Sequence, residues 1–325
     1  MRGAVPAGDG GPVNDSGLTI ALLGPLEVRD GGAPIEVTAG RLRSLLAALA
    51  LSAGRTLPVE RLAQVMWGRD EPVNVRRSVH TNLTRLRGAL GSAAVRTVPG
   101  GYRLDVAPDA VDVLRFRRLL AAAGRARDAA TEHLLLRRAL ELWRGSPFQG
   151  VDVRECWEAE SAYLLELYLG AVERRVDLDL ACDRPREVIA ELRELAVRHP
   201  LRESLWARLL VALGRSGRRA EALADYQRLR ERLADELGTE PDARIRQIHT
   251  ELLRADALPR SVTPTTAGPS PPTVGAFIGH VIDLGPTTPL RGKTDTALRP
   301  PASDPSAVVL MWVSAATSAK DRAGR

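Results

Sequence analysis

Residues 74–90 read NVRRSVHTNLTRLRGAL. At about 100° per residue, Val75, Val79, Leu83, Leu86 and Leu90 fall on one narrow stripe, the face that an amphipathic helix turns to a core. The opposite face carries Arg77, Thr81, Thr84 and Arg85, flanked by Asn74, His80 and Arg87. With Arg76 the segment holds four Arg and no Asp or Glu. A solvated helix mixes both signs of charge, because i,i+4 pairs of opposite sign stabilise it. A one-signed face of guanidinium, imidazole and short hydroxyl groups suits a polyanion instead. Arg serves phosphates and guanine edges, and Thr serves smaller contacts. Read by itself, the segment also fits an Arg-rich surface helix that has no such partner.

The flanks favour the polyanion. Upstream, 39–51 is apolar at Leu42, Leu45, Leu46, Leu49 and Ala50, with Thr38 as the expected N-cap. Val59, Leu62, Ala63, Met66 and Trp67 repeat the pattern, and Gly68 stands where a helix stop belongs. Earlier still, 18–23, 26–29 and 35–37 read as short strands around the turn residues Asp30-Gly31-Gly32. Downstream, 95–98 and 102–106 flank Pro99-Gly100-Gly101, a hairpin signal that carries Arg96 and Arg103. The order is short sheet, three helices, hairpin. That is the plan of a winged helix, whose third helix enters the major groove while the wing reaches backbone or minor groove.

The segments LTIALLGPLEVRDGG, GRLRSLLAALALSAGRTLPVERLAQVMWG, SVHTNLTRLRGALG and VRTVPGGYRL resemble an OmpR-type winged helix, the output domain of phosphorelay regulators. More narrowly they resemble the Streptomyces antibiotic regulatory protein (SARP) family, over residues 18 to 106 without a gap. The resemblance implies a transcriptional activator whose third helix and wing read direct repeats upstream of antibiotic and other biosynthetic genes. It implies helix contacts to DNA from Arg76, Arg77, Thr81, Thr84, Arg85 and Arg87, and wing contacts from Arg96, Thr97 and Arg103. It also implies two copies side by side on the duplex. In OmpR-type domains the loop before the third helix contacts RNA polymerase. Here that loop, 68–73, carries Arg69, Asp70 and Glu71, and an ordinary solvated turn is its simpler reading. Val75 stands where the family often has a longer polar residue, so base preference stays open.

The chain has 325 residues, enough for two domains and tails. Aromatics make up 4%, so the core rests on Leu, Ala and Val. The formal charge of +6 is uneven. Residues 18–106 hold twelve Arg against seven acids, whereas 107–254 hold twenty-six of each. Positive charge therefore concentrates on the winged-helix region, as attraction to phosphates requires. Cys156 and Cys182 lack metal-ligand spacing, and two buried free thiols in a reducing cytoplasm are expected. No signal peptide is legible, and 307–316 is half the ~20 apolar residues a membrane span needs. A cytoplasmic protein with no membrane partner, metal or cofactor is expected. No receiver-domain pattern stands ahead of Leu18, so an aspartyl-phosphate switch is not expected from this sequence.

From 107 to 254 the pattern is helical throughout. Asp112 and Thr131 read as N-caps, of 113–123 and 132–143. Residues 156–179 form a long amphipathic run. Trp206, Leu209, Ala222 and Tyr226 stand at tetratricopeptide (TPR) spacings, with Pro200 where that pattern ends a repeat. One repeat back the match is partial, with Val172 in the place of the Trp and Arg175 in that of the Leu. A helical-hairpin stack over 169–236 follows. ALELWRGSPFQGV, AELRELAVRHPLRESLWARLLVALGRSGRRAEAL and YQRLRERLADELGTEPDARIRQIH resemble the family's bacterial transcriptional activator domain. Trp143, Trp157 and Trp206 read as core.

The fold expected is mainly α. An α+β winged helix-turn-helix at 18–106 precedes an all-α TPR-like domain at 107–254, between disordered tails at 1–17 and 255–325 rich in Pro, Gly, Ser and Thr. Within the second tail, TTPLRGKT (287–294) nearly spells a P-loop. It lacks the first glycine, the strand before and the helix after, so nucleotide binding is not expected. Five scattered His and no GxSxG, HExxH or acidic cluster give no enzyme reading. The alternative function is a TPR-like protein-interaction scaffold whose basic module binds nucleic acid without activating transcription.

Overall fold

The computed structural model describes residues 17–152 and 155–254. The expectations for both tails, the near P-loop and the Cys156 thiol lie outside the described residues.

The winged helix follows the order read from the sequence. Strands β1 (Leu18–Ala21), β2 (Glu27–Asp30) and β3 (Ala33–Pro34) form an antiparallel sheet in that order, with Ile20 opposite Val28. Helices α1 (Gly40–Leu51), α2 (Val59–Trp67) and α3 (Val75–Leu90) follow, then the hairpin β4 (Val95–Val98) and β5 (Gly101–Leu104). The third strand lies at 33–34 rather than at the expected 35–37, because Arg29 and Asp30 pair across the Gly-Gly turn with Pro34 and Ala33. Thr38 does not cap α1. That helix starts after Ala39 with no side-chain cap, and the Asp152 carboxylate lies so close to Gly40 that a Cβ there would collide with it. An acid at a helix N-terminus is favoured by the aligned peptide dipoles.

In α3 the expected stripe is the packed one. Val79, Leu83, Leu86 and Leu90 are buried and Val75 partly so, each full burial contributing roughly 1.5–3 kcal/mol. Asn74 is the N-cap, its side chain accepting from the Arg77 N–H at 3.1 Å. Gly68 ends α2 at φ 60°, a conformation an L side chain resists.

The helical region comprises α4 (Asp112–Ala123), α5 (Ala129–Leu140), α6 (Glu155–Ala181), α7 (Pro185–Arg198), α8 (Glu203–Arg215), α9 (Arg219–Leu237) and α10 (Ala243–Leu253). Thr131 is not the cap of α5. Asp128 is, accepting from the Thr131 N–H at 2.8 Å. The TPR register holds: Trp206, Leu209, Ala222 and Tyr226 are all buried, and the Trp206 indole N–H donates to the Pro200 carbonyl at 2.9 Å. Val172 is fully buried in the place of the missing Trp. Arg175, in the place of the Leu, reaches Asp179 at 2.9 Å and also pairs with Glu191. Cys182 is exposed, contrary to expectation, because it follows the last residue of α6 in a turn.

The hydrophobic core does not change where the secondary structure changes. One cluster runs from Leu18 through the winged helix to Val113, Phe116, Phe148, Trp157 and Leu164. A second runs from Leu169 to Leu252. Helix α6, 27 residues and about 40 Å long, enters the first cluster with Trp157 and the second with Val172. Trp143 stacks on Tyr168 at the junction, with ring centroids 4.5 Å apart.

Polar bonds join the same seam. Asp112 is not a cap preceding α4 but its first residue, and its carboxylate accepts from the Leu22, Leu23 and Val113 N–H groups at 2.7–2.9 Å. Burial pushes this carboxyl up from its ordinary value, against the opposing pull of those N–H groups and Arg144. The chain after α5 then runs beside 22–26. Arg144 and Phe148 donate backbone N–H groups to the Leu23 and Leu22 carbonyls, and Leu26 donates to Gln149. The helical region is thus hydrogen-bonded to the segment that joins β1 and β2.

Candidate nucleic-acid interface

The outer face of α3 presents Arg76, Arg77, His80, Thr81, Thr84 and Arg85, all exposed. Among the described residues the Arg77 and Arg85 side chains have no hydrogen-bond or ion-pair partner. Arg76 has one loose pair, with Glu60 of α2 at 3.5 Å, both groups largely in solvent. The Thr81 and Thr84 hydroxyls donate to the Arg77 and His80 carbonyls at 2.9 and 3.0 Å. Each therefore offers outward its methyl and a lone pair, the groups that meet a thymine methyl or a base donor.

The wing is fixed by pairing. Val95 faces Leu104, Arg96 faces Arg103 and Thr97 faces Tyr102. Residue 57 adds a further rung, Leu57 and Tyr102 exchanging both backbone hydrogen bonds at 2.8 and 2.9 Å. Gly101 is required there, since a Cβ would strike the Leu57 carbonyl. Side chains alternate across a strand. Thr97 and Tyr102 thus share the face of the buried Val95 and Leu104, and Arg96 and Arg103 lie on the other. Like charges directly opposite destabilise a pair of strands. Asp105 offsets this, reaching Arg96 at 3.1 Å and Arg103 at 3.6 Å. Arg96 stays exposed and Arg103 is half-buried.

Arg87, expected beside the other arginines, leans from α3 toward the wing. Its Nε donates to the Val95 carbonyl and a terminal nitrogen donates to the Thr97 hydroxyl, both at 2.8 Å. The guanidinium lies 5.8 Å from the centre of the Tyr102 ring. Sequence spacing could not show this, because it places Arg87 on a face but says nothing of a strand eight residues on.

The loop 68–73 leaves Arg69, Asp70 and Glu71 exposed, with no side-chain partner among the described residues. Val73, just before the cap, is fully exposed. Charge changes sign here, from two free carboxylates to an acid-free helix face within a few residues.

Residues 32–104 match the family described as transcriptional regulatory protein, C terminal. Residues 111–253 match the bacterial transcriptional activator domain. The regulatory protein DnrI of Streptomyces peucetius is 36% identical over 253 residues, which is 74% of this chain and 93% of that protein. The chain belongs to the Streptomyces antibiotic regulatory protein family. The transcriptional regulator RedD of Streptomyces coelicolor is 34% identical over 268 residues, covering 78% of this SARP chain and 76% of that one. Among solved structures, Mycobacterium tuberculosis EmbR, in complex with a low-affinity phosphopeptide, aligns with a TM-score of 0.68 at 31% identity. That match covers 76% of this chain and 67% of the EmbR chain. As in other SARP regulators, the work of this chain is DNA-binding transcriptional regulation, by an OmpR-type winged helix joined to a helical activator domain. Among the described residues no helix is long and apolar enough to cross a membrane.

Proposed function

We propose that this SARP regulator activates transcription of a secondary-metabolite gene cluster by seating α3 in the major groove of direct repeats, two copies side by side. The observation that carries this is the acid-free outer face of α3, where Arg77 and Arg85 have no partner among the described residues. In the bound state Arg77 and Arg85 address base edges or phosphates, with Arg76, Thr81 and Thr84 beside them. Arg96, Thr97 and Arg103 serve the flanking backbone from the wing. A single winged helix covers too few base pairs for genomic specificity, so two modules on one face of the duplex supply the rest. Loop 68–73 is turned to RNA polymerase holoenzyme. Its free carboxylates repel phosphates, which favours a protein contact over a DNA contact.

Footprinting on the promoters beside its own gene tests the DNA half of this reading. Inserting half a helical turn between repeats should abolish cooperative occupancy, and unchanged affinity would show that single copies act alone. Reversing charge at Asp70 and Glu71 tests the polymerase half. Transcription in vitro should fall while promoter affinity holds, and equal loss of both would reduce the loop to a scaffold for α3.

A further inference from the structure

We propose that Arg87 is a positioning residue for DNA recognition, fixing the wing against α3 rather than contacting the duplex itself; this rests on the duplex-binding reading above. The hairpin β4–β5 has two edges. The β5 edge is held by the paired backbone of Leu57. Among the described residues the β4 edge has no strand beside it. Arg87 holds that second edge, through the Val95 carbonyl and the Thr97 hydroxyl at 2.8 Å each, and lies over Tyr102, the residue that Leu57 grips from the other side. One guanidinium thus connects the recognition helix to both strands of the wing.

The geometry explains why this residue is Arg. Two separate nitrogens must reach two acceptors on one strand while the flat group faces an aromatic ring. A planar fork does this, and a single ammonium does not. Because the Thr97 oxygen accepts from Arg87, the Thr97 hydroxyl proton is turned away from the helix and stays free for a phosphate. Removing Arg87 leaves the β4 edge unheld, so the wing can pivot about Leu57 while α3, packed through Val79, Leu83 and Leu86, keeps its place.

The test uses the full chain, with Arg87→Lys, Arg87→Ala and Thr97→Val, on a promoter duplex that the wild type protects. Hydroxyl-radical footprinting reports the wing flank, and protection of guanine N7 reports α3 in the major groove. Both Arg87 variants should lose the wing-side protection, keep the guanine protection and bind about tenfold more weakly, the scale of losing hydrogen bonds to a charged group. Thr97→Val should reproduce part of the wing loss. Wild-type behaviour of Arg87→Lys would overturn the proposal, because a phosphate contact needs only the charge. Loss of both protections together with a lowered melting temperature would overturn it too, reducing Arg87 to a stability residue. A wild type that protects no duplex would instead refute the DNA reading beneath it.

Discussion

On α3, Arg77 and Arg85 stand in solvent with no partner among the described residues. Arg208 of α8 and Arg202 just before it are shared among Glu166, Glu173 and Asp177 of α6 at 2.7–3.3 Å. The residue type is the same in both places, and the difference lies in what surrounds it. Arg202 and Arg208 are each matched by carboxylates of α6, so their charge is spent inside the fold. On α3 the charge of Arg77 and Arg85 faces outward and unmatched, and in the function proposed above its counter-charge is supplied by the duplex. Arginine number says little about function; what sets α3 apart is an outer face that carries several arginines and no acid.

Two perturbations sharpen this contrast. The larger is Arg208→Ala. Its side chain and both acids are nearly buried, so removal leaves Asp177 without its cation and Glu173 with Arg202 alone. Breaking a fully buried pair costs several kcal/mol; about 2–3 kcal/mol is expected here, because the acids keep some solvent. Denaturant unfolding should show this with promoter affinity per folded molecule unchanged. A change in affinity alone would place Arg208 in the interface.

The smaller perturbation is acid. Arg218 and Arg193 hold the Glu221 carboxyl down at about 2 from an ordinary 4.5. A folded value below the unfolded one stabilises the fold above pH 4.5, and that contribution is lost as pH falls from 4.5 through about 2. The group is exposed, so the effect is small. Glu221→Gln should lower the melting temperature slightly at pH 7, and the gap from wild type should close by about pH 2. A gap that stays constant with pH would show that the ion pairs contribute nothing.

What the sequence made legible was local. The limits of α3 followed from a 3.6-residue period, those of β4 from a Pro-Gly-Gly turn, and the buried Trp206, Ala222 and Tyr226 from TPR spacing. What it hid was long-range. Asp112 carries the periodic signature of a cap, yet its carboxylate binds backbone ninety residues earlier. Residues 144–149 look like an ordinary loop, yet their backbone bonds to residues 22–26 of the winged helix. Arg87 reads as one of four equivalent arginines until its bonds to the wing are seen. At α5 the expected cap, Thr131, gives way to Asp128 three residues earlier, whose side chain accepts from the Thr131 N–H.

The claim on which the rest depends is that the unmatched face of α3 reads duplex DNA. The most direct measurement is salt-dependent binding of the Arg77→Ala, Arg85→Ala double variant to a promoter fragment, with its melting temperature taken beside the wild type. Exposed residues without partners leave stability within about 0.5 kcal/mol. Affinity should fall by ~1–3 kcal/mol for each base-contacting arginine, and the salt slope should flatten for each phosphate contact. A correctly folded double variant that binds and footprints like the wild type would contradict the assignment of α3 as the recognition helix.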